Sequence, residues 1–569
     1  MAERRQTTAQ DLLKRWDAMI AQRDTVDVRA QEIADYILPH KAVITQQATE
    51  GQKLTSFLFD GEGPWAAAML ARTLAGAMTS AAQQFFNLSL EPEDLREDKE
   101  TQDWLEDCAE RIYAALGRSN FHAENLEQFT DAVTFATATL FIEEAPPLVT
   151  GEFGGLLFTA IPFQERCISQ NAEGLVDTLF RRFKLSARAA YGKWKERAGP
   201  RVVAAATEQH KNQEEEFEFL HAIYPRMYRD RHQHGTAANM PWCSYYVSIA
   251  DKTIIEESGY QEFPAPTWRW DKIPGLIYGF GPSHMALPDV KTVNVTKELL
   301  LKAAALKIQP PTVEKNDSVV GDVDRNPGGR NVAEDPTDLQ FLDTKADVRL
   351  GELVIQDLHA SIDKCYYIQE LRLKESPAMT ATEVLAKREE LERLLGPTAG
   401  RIESEYLTPL LLRVFAIMFR ANAFAPMPDA VQHWMGQRRG LQPMLDLRYE
   451  GPLQRARRAA DRVAIQAFYQ MLGIASQFDA GAKYVLKHQD ALREYGELSG
   501  VPSKLLNDEK AVMALLQAEQ QAKDKAAQTE LMLKSAEALG KAGPGIRELT
   551  RAVPGASGGV PPTNQPVAA

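Results

Sequence analysis

From residue 8 to residue 38, apolar side chains recur at three- and four-residue steps: Leu12, Leu13, Trp16, Met19 and Ile20, then Ile33, Tyr36 and Ile37. That spacing predicts a helix, and Pro39 ends it. A second helix is predicted over Pro64–Ala82, with a proline in its first turn. It leads into Phe85-Phe86-Asn87-Leu88-Ser89-Leu90, which alternates as a strand does. Residues 99–118 carry an apolar stripe of Trp104, Leu105, Ile112, Tyr113 and Leu116, and Phe121–Ala138 reads as a further helix. From Leu140 to Phe183 the texture changes to short β-branched and aromatic runs separated by Gly and Pro, the pattern of an antiparallel sheet. Leu185–Glu196 reads as a short helix, and residues 216–270 as strands, Tyr245–Ile249 the most regular. The first 270 residues therefore form one α+β body or two lobes of one.

The stretch from Tyr278 to Arg420 is the organising element. It begins with a Tyr-Gly-Phe-Gly-Pro turn (Tyr278–Pro282) and enters a long helix at Asp289. It breaks at Gln309-Pro310-Pro311 and crosses a Gly/Pro/Asp-rich module that cannot be a long helix. Helix resumes near Ala346 and runs to Lys374. A third run, Thr380–Leu395, opens with capping-box spacing between Thr380 and Glu383. Gly396-Pro397 breaks it, and helix continues to Arg420. The order describes a hairpin of long helices with a module at its tip and a loop at its base.

Within the first of these helices, Lys291, Glu298 and Lys302 fall in a stripe about 40° wide. Val290, Val293, Leu299, Leu300, Leu301, Leu306 and Ile308 cover much of the remaining circumference. A helix wedged between neighbours on both sides, with one charged line facing water, has this pattern. A buried core helix with snorkelling lysines has it too. Beyond Tyr449-Glu450-Gly451-Pro452, a helix over Leu453–Leu472 bears Arg455, Arg457, Arg458 and Arg462. Residues 516–541 favour helix with a thin apolar stripe, and the Pro/Gly/Ala-rich residues 542–569 read as a disordered tail.

Composition narrows the function. The 569 residues, 44% hydrophobic and 25% charged, suffice for three to five structural units on a prior of about 150 residues each. The formal charge of −13 argues against tight duplex binding by the whole surface, since phosphate neutralisation needs a basic protein. Four scattered cysteines (Cys108, Cys167, Cys243, Cys365) with no Cys-x-x-Cys pair fit free thiols in a reducing compartment. No apolar region follows the N-terminal Met-Ala-Glu-Arg-Arg-Gln, and no run of about 18 apolar residues occurs, so neither a secretory signal nor a membrane span is expected.

Motifs of known chemistry are weak. His232 and His234 would share a face of a strand, but no third ligand completes a metal site. Asp317, Asp322 and Asp324 do not have calcium-loop spacing. Gly279-Phe280-Gly281-Pro282 lacks the third glycine of a dinucleotide fingerprint, and no phosphate-binding loop or nucleophile elbow occurs. No catalytic residue, metal or cofactor is assigned. The Arg455–Arg462 cluster reads as an exposed helical face paired with acidic neighbours, the alternative being phosphate contact.

Several short motifs, in order and spacing, resemble the head-to-tail connector (portal) proteins of short-tailed, podovirus-type bacteriophages over roughly Leu12–Gln521. They include Ser119-Asn120-Phe121, Phe135-Ala136-Thr137-Ala138-Thr139-Leu140, Asn171-Ala172-Glu173-Gly174, Tyr278–Pro282, Ala286-Leu287-Pro288-Asp289-Val290-Lys291, Thr380-Ala381-Thr382-Glu383-Val384, Leu395-Gly396-Pro397, Pro409-Leu410-Leu411 and Tyr449–Leu453. Phe85-Phe86 stands where the family has Trp-Phe.

The resemblance implies a mainly helical α+β portal fold, assembled as a ring, usually a dodecamer, at one vertex of the capsid. Its regions map by order: wing 1–284, stem helices 285–308 and 346–375 flanking a clip of 309–345, a tunnel loop and wing completion over 376–450, and a helical crown over 451–541. It implies partners: the terminase large subunit, tail adaptor or nozzle proteins, capsid and scaffolding proteins, and double-stranded DNA passing through the channel. The implied setting is the virion, assembled in the host cytoplasm. Twelve such chains carry 12 × −13 = −156 formal charges, which discourages adhesion of a polyanion. Lys291 and Lys302 on the charged stripe, with Lys374 near the loop, are the DNA-channel candidates. A virion adaptor or scaffold without a conduit is the alternative, and an unrecognised enzyme a third.

Overall fold

The computed structural model describes residues 7–46, 49, 51–146, 153–207, 213–227, 236–308, 312–314, 339–341, 348–371, 394–438, 445–449, 452–478, 481, 485–499 and 509–540. His232, His234, Asp317, Asp322, Asp324, Lys374, the loop around it, most of Thr380–Leu395 and the tail 542–569 lie outside the described residues. The chain divides into two units, residues 1–491 and 492–569.

Helix α1 (Ala9–Ile37) begins at a reciprocal cap. The Asp11 N–H donates to Thr8 Oγ1 at 3.2 Å while Asp11 Oδ2 accepts from the Thr8 N–H at 3.2 Å. Its buried stripe includes Leu12, Trp16, Ile33 and Ile37, matching the predicted periodicity. Helix α2 (Glu62–Met78) leads to strand β1 (Phe86–Leu90). Asp98 then caps α3 (Lys99–Arg118) by accepting from the Thr101 N–H at 3.0 Å. Helix α4 (Phe121–Phe135) is shorter than its sequence suggests. Ala136 turns left-handed at φ 56°, and Thr137–Thr139 leave to pair in register with Arg269–Thr267. The two β-branched threonines gain a sheet partner there that a further helical turn would not supply.

The sheets are antiparallel. Strand β2 (Thr137–Glu144) lies between β3 (Leu156–Ala160) and β9 (Thr267–Arg269). A five-stranded meander runs β4 (Arg166–Gln170), β5 (Val176–Ser186), β6 (Glu216–Pro225), β7 (Trp242–Ser248) and β8 (Thr253–Tyr260). Between β5 and β6 lie α5 (Ala187–Trp194) and α6 (Pro200–Thr207). The second of these had no counterpart in the sequence pattern.

The hairpin is built from α7 (Pro282–Ile308) and α8 (Val348–Cys365). Residues 312–314 and 339–341 pair between them as antiparallel β10 (Thr312–Glu314) and β11 (Leu339–Phe341). Helix α7 starts two turns earlier than the expected Asp289 and carries Pro288 inside it. The bond that Pro288 cannot donate is outweighed by packing of that first stretch. Pro282, Ser283, Ala286 and Leu287 are buried, and Ser283 Oγ donates to the Val133 carbonyl at 2.8 Å. Helix α8 does not continue to Lys374. It stops at the buried Tyr366, whose hydroxyl donates to Ser283 Oγ at 2.9 Å, and Tyr367 takes φ 57° before a short turn of helix over Ile368–Leu371.

Residues 394–401 are helical through Gly396-Pro397, where a break was expected. The helix then widens into a π-turn over Ile402–Leu407 and continues as α9 (Thr408–Arg420). Strand β12 (Leu445–Tyr449) closes on β1, register Phe86 to Tyr449. The main core joins α2, α3, α4, β2, the two hairpin helices and α9. Phe85 and Phe86, in place of Trp-Phe, are both buried in it at 5.1 Å between ring centres. Helix α10 (Pro452–Phe478) follows, longer than expected at its C-terminal end. In the second unit, Glu509–Gly540 forms one helix along which Met513, Leu515, Leu516, Leu531 and Met532 are exposed.

Candidate functional site: the helical hairpin

Three faces of α7 meet different surroundings. One face meets α8: Leu300 packs on Gly351, where an added Cβ would stand 2.7 Å from Leu300 Cδ1. Glycine at 351 lets the two helices approach. Near the base, Ser361 Oγ donates to Asp289 Oδ2 at 2.6 Å.

A second face meets the body. Gly63 lies so close to Val290 that a Cβ there would stand 2.9 Å from Val290 Cγ2. One turn on, Asn294 holds the loop before α2 by both ends of its amide, accepting from the Phe59 N–H at 2.7 Å and donating to the Phe57 carbonyl at 2.9 Å. Lys297 Nζ then reaches Asp60 Oδ2 at 2.9 Å, and His359 Nε2 of α8 reaches the same oxygen at 3.0 Å. Burial works against the ionised Asp60, but the Glu62 backbone N–H, Lys297 and His359 outweigh it and hold its carboxyl below the usual range.

The third face is uncovered. Val295, Leu299 (59% exposed) and Leu306 follow one another at helical steps, with Lys302 among them. On the opposite side of the helix, near its end, Leu301 and Ile308 (80% exposed) are uncovered too, as are Leu350, Leu353 and Val354 of α8. Of these, Leu299, Leu301, Leu306 and Ile308 belong to the apolar circumference read from the sequence, while Val295 and the α8 side chains do not. Scattered exposed leucines need no explanation, but exposed apolar side chains at helical steps on two sides of one helix are candidate contact surfaces.

The three lysines fare differently. Lys291 pairs with Glu32 of α1, and its ammonium lies 5.6 Å from the Tyr36 ring centre. Lys302 pairs with Glu298 one turn back at 2.6 Å and is 65% exposed. Lys374 lies outside the described residues. The charged line drawn from the sequence thus splits between a contact within the body and an open face. Lys297, Asn294, Asp60 and His359 were missed. The signal was available only as two polar side chains, three apart, on an otherwise apolar flank.

Turn motifs converge beneath the hairpin. The Gly279 N–H donates to Thr137 Oγ1 at 2.9 Å, and a Cβ on Gly279 would stand 2.3 Å from the Ala136 carbonyl oxygen. Residues Phe135–Leu140 and Tyr278–Pro282 therefore form one contact, which explains why both carry small or β-branched residues. Arg462 is partly exposed, and the side chains of Arg455, Arg457 and Arg458 lie outside the described residues. All four cysteines are free thiols, three of them buried. Among the described residues no cluster of three or more His, Cys, Asp or Glu side chains is arranged to hold a metal, and no helix is long and apolar enough to cross a membrane.

The site is thus a long helical hairpin on an α+β body, with apolar side chains exposed on two sides of α7. The sequence profile of the family "Bacteriophage head to tail connecting protein" matches residues 9–506. The chain belongs to the bacteriophage head to tail connecting proteins, the phage portals. It is similar to the probable portal protein of Bordetella phage BPP-1, with 28% identity over 567 residues, 95% of this chain and 96% of that one. It is similar also to the portal protein of Salmonella phage epsilon15, with 23% identity over 535 residues, 90% of this chain and 91% of that one. The portal thus joins head to tail in the virion, and its mainly helical α+β architecture is the one the sequence predicted.

Proposed function

We propose that the portal assembles as a ring, twelvefold as the family resemblance implies, and that the hairpins of its copies stand side by side around a channel for double-stranded DNA. The observation that carries this reading is the pair of uncovered apolar lanes on opposite sides of α7, Val295/Leu299/Leu306 and Leu301/Ile308. A two-fold dimer needs one self-complementary patch. A closed ring needs two different patches that meet head to tail, copy after copy.

In this reading residues 1–284 and 376–450 make the wing with its tunnel loop, 285–308 and 346–375 the stem, 309–345 the clip and 451–541 the crown. The clip docks the terminase large subunit during packaging and the tail adaptor or nozzle proteins afterwards. Capsid and scaffolding proteins meet the outer wing, and no cofactor is needed. Lys302 and Lys374 soften the channel wall toward phosphates. Lys291 does so only if its Glu32 partner is displaced.

Native mass spectrometry and negative-stain imaging of the purified chain test the reading. Rings with a central hole about as wide as duplex DNA are expected. Leu299→Glu combined with Ile308→Glu should give folded monomers. Monomers or fibres from the unmodified chain would remove the ring and leave a virion adaptor without a conduit.

A further inference from the structure

The clamp on Asp60 is one corner of a larger ionisable cluster where the body meets the hairpin. The loop before α2 supplies Asp60, and the first residue of α2 is Glu62. Helix α7 supplies Lys297, and α8 supplies His359 and Asp363, four residues apart and so on one face. Asp60 receives Lys297 Nζ and His359 Nε2 and also the Glu62 backbone N–H, at 2.9 Å to Oδ1. The Glu62 side chain instead faces the Asp363 carboxyl within hydrogen-bonding reach. Among the described residues, no donor bonds the buried Asp363 Oδ1. An orphaned buried acceptor beside a second carboxyl is satisfied when that carboxyl keeps its proton, and two carboxylates so close resist ionising together.

We propose that Glu62 and Asp363 share one proton that latches the start of α2 onto α8, and that losing this proton loosens the hairpin from the body. The inference rests on the geometry of a single chain and stands apart from the ring reading.

Burial, and then the charge of Asp363, push the Glu62 carboxyl above its ordinary range. The sign follows. A carboxyl that holds its proton more tightly in the folded state contributes fully at low pH, and that contribution is lost as pH rises through its folded value. Asp60 acts in the opposite sense, because its lowered value means that its clamp fails only in stronger acid. With Glu62 ionised, three carboxylates (Asp60, Glu62, Asp363) would face Lys297 and His359, and His359 is itself charged only when protonated. Opening coupled to release of one proton rises by up to about tenfold per pH unit.

Hydrogen–deuterium exchange of the full-length protein, followed on peptides from 348–365 between about pH 4 and pH 8 and corrected for intrinsic rates, reads this opening. In the unmodified protein the opening constant should rise with pH between the Glu62 values of the open and closed states, by up to about tenfold per unit there, and level off above them. Glu62→Gln, whose amide donates to Asp363 at every pH, should keep the low-pH protection throughout. Asp363→Asn offers the same pairing from the other side and should also lose the slope, so one unstable variant does not end the test. Asp60→Asn should raise exchange at all pH values and keep the slope. His359→Gln should keep it too. Protection independent of pH in the unmodified protein overturns the latch. So does a slope that survives in both Glu62→Gln and Asp363→Asn, or one that disappears in His359→Gln.

Discussion

Arg269 on β9 and Glu405 in the π-turn form a two-point ion pair, Nη2 donating to Oε1 at 3.0 Å and Nε to Oε2 at 3.3 Å. Arg269 is almost wholly buried. Its remaining donors go to Gln170 Oε1 at 3.1 Å and to the Gly174 carbonyl at 2.8 Å. One guanidinium thus ties together β9, the Asn171–Gly174 turn and the helix that enters α9. Glu405→Gln leaves that guanidinium buried without its counter-charge, so a loss of about 3–5 kcal/mol is expected. Arg269→Met with Glu405→Leu should lose less, because neither charge is stranded. Urea unfolding followed by the fluorescence of the buried Trp268 and Trp270 checks both.

Gly351 decides how closely α8 approaches α7. Gly351→Ala places a methyl 2.7 Å from the end of the Leu300 side chain, and the overpacking, partly offset by the roughly 1 kcal/mol gained on replacing a mid-helix glycine, should leave a net cost of up to about 2 kcal/mol. Adding Leu300→Ala removes the collision but opens a gap, so the double variant should recover only part of the loss. Recovery can be read from thermal midpoints. Additive losses in the double variant would mean that the two residues do not meet.

These contacts show what the sequence pattern carries and what it omits. Periodicity located α1, α3 and the hairpin because each has one dominant buried stripe of large side chains, such as Trp104, Leu105, Ile112 and Leu116. It misplaced the start of α7 because local rules treat Pro288 as a stop, while burial of Ser283, Ala286 and Leu287 keeps the preceding turns helical. It ran α4 past Phe135 because the left-handed turn at Ala136 is set by a distant partner, the Trp270 N–H on its carbonyl at 2.9 Å. At the candidate site the apolar circumference of α7 was legible. The Asp60 clamp was not, since it joins residues 235 or more positions apart and leaves no periodic trace.

His284 in the first turn of α7 makes a pH prediction. It lies 5.0 Å from the Phe280 ring centre, its Nδ1 has no partner among the described residues, and burial, reinforced by Arg29, lowers its pKa to about 4. The unfolded chain, with an ordinary value of 6.5, binds the extra proton first. This stabilising contribution is therefore complete above about pH 6.5 and is lost as pH falls toward about 4, by up to about 3 kcal/mol. His284→Phe keeps an aromatic ring against Phe280 and removes the titration. The fall in unfolding midpoint across that window should shrink in the variant, and an unchanged fall would assign it to other groups.

The three candidate channel lysines call for separate predictions. Lys302→Glu sets a like charge one turn from Glu298 on an exposed face, a cost of about 0.3–0.5 kcal/mol that leaves the fold intact. The proposed ring should then form in normal number while DNA packaging or retention falls, because each lost cation recurs around the ring and weakens phosphate contact cooperatively. Lys374→Glu should behave in the same way. Lys291→Glu should not: it sets a carboxylate against Glu32 and removes the cation over Tyr36, so the joint between α1 and α7 should loosen before any effect on DNA is measured. Packaged genome length, ring count by native mass spectrometry and thermal midpoint, measured on the three variants together, distinguish the roles. If Lys302→Glu abolishes rings, that lysine is an assembly contact and the channel assignment fails.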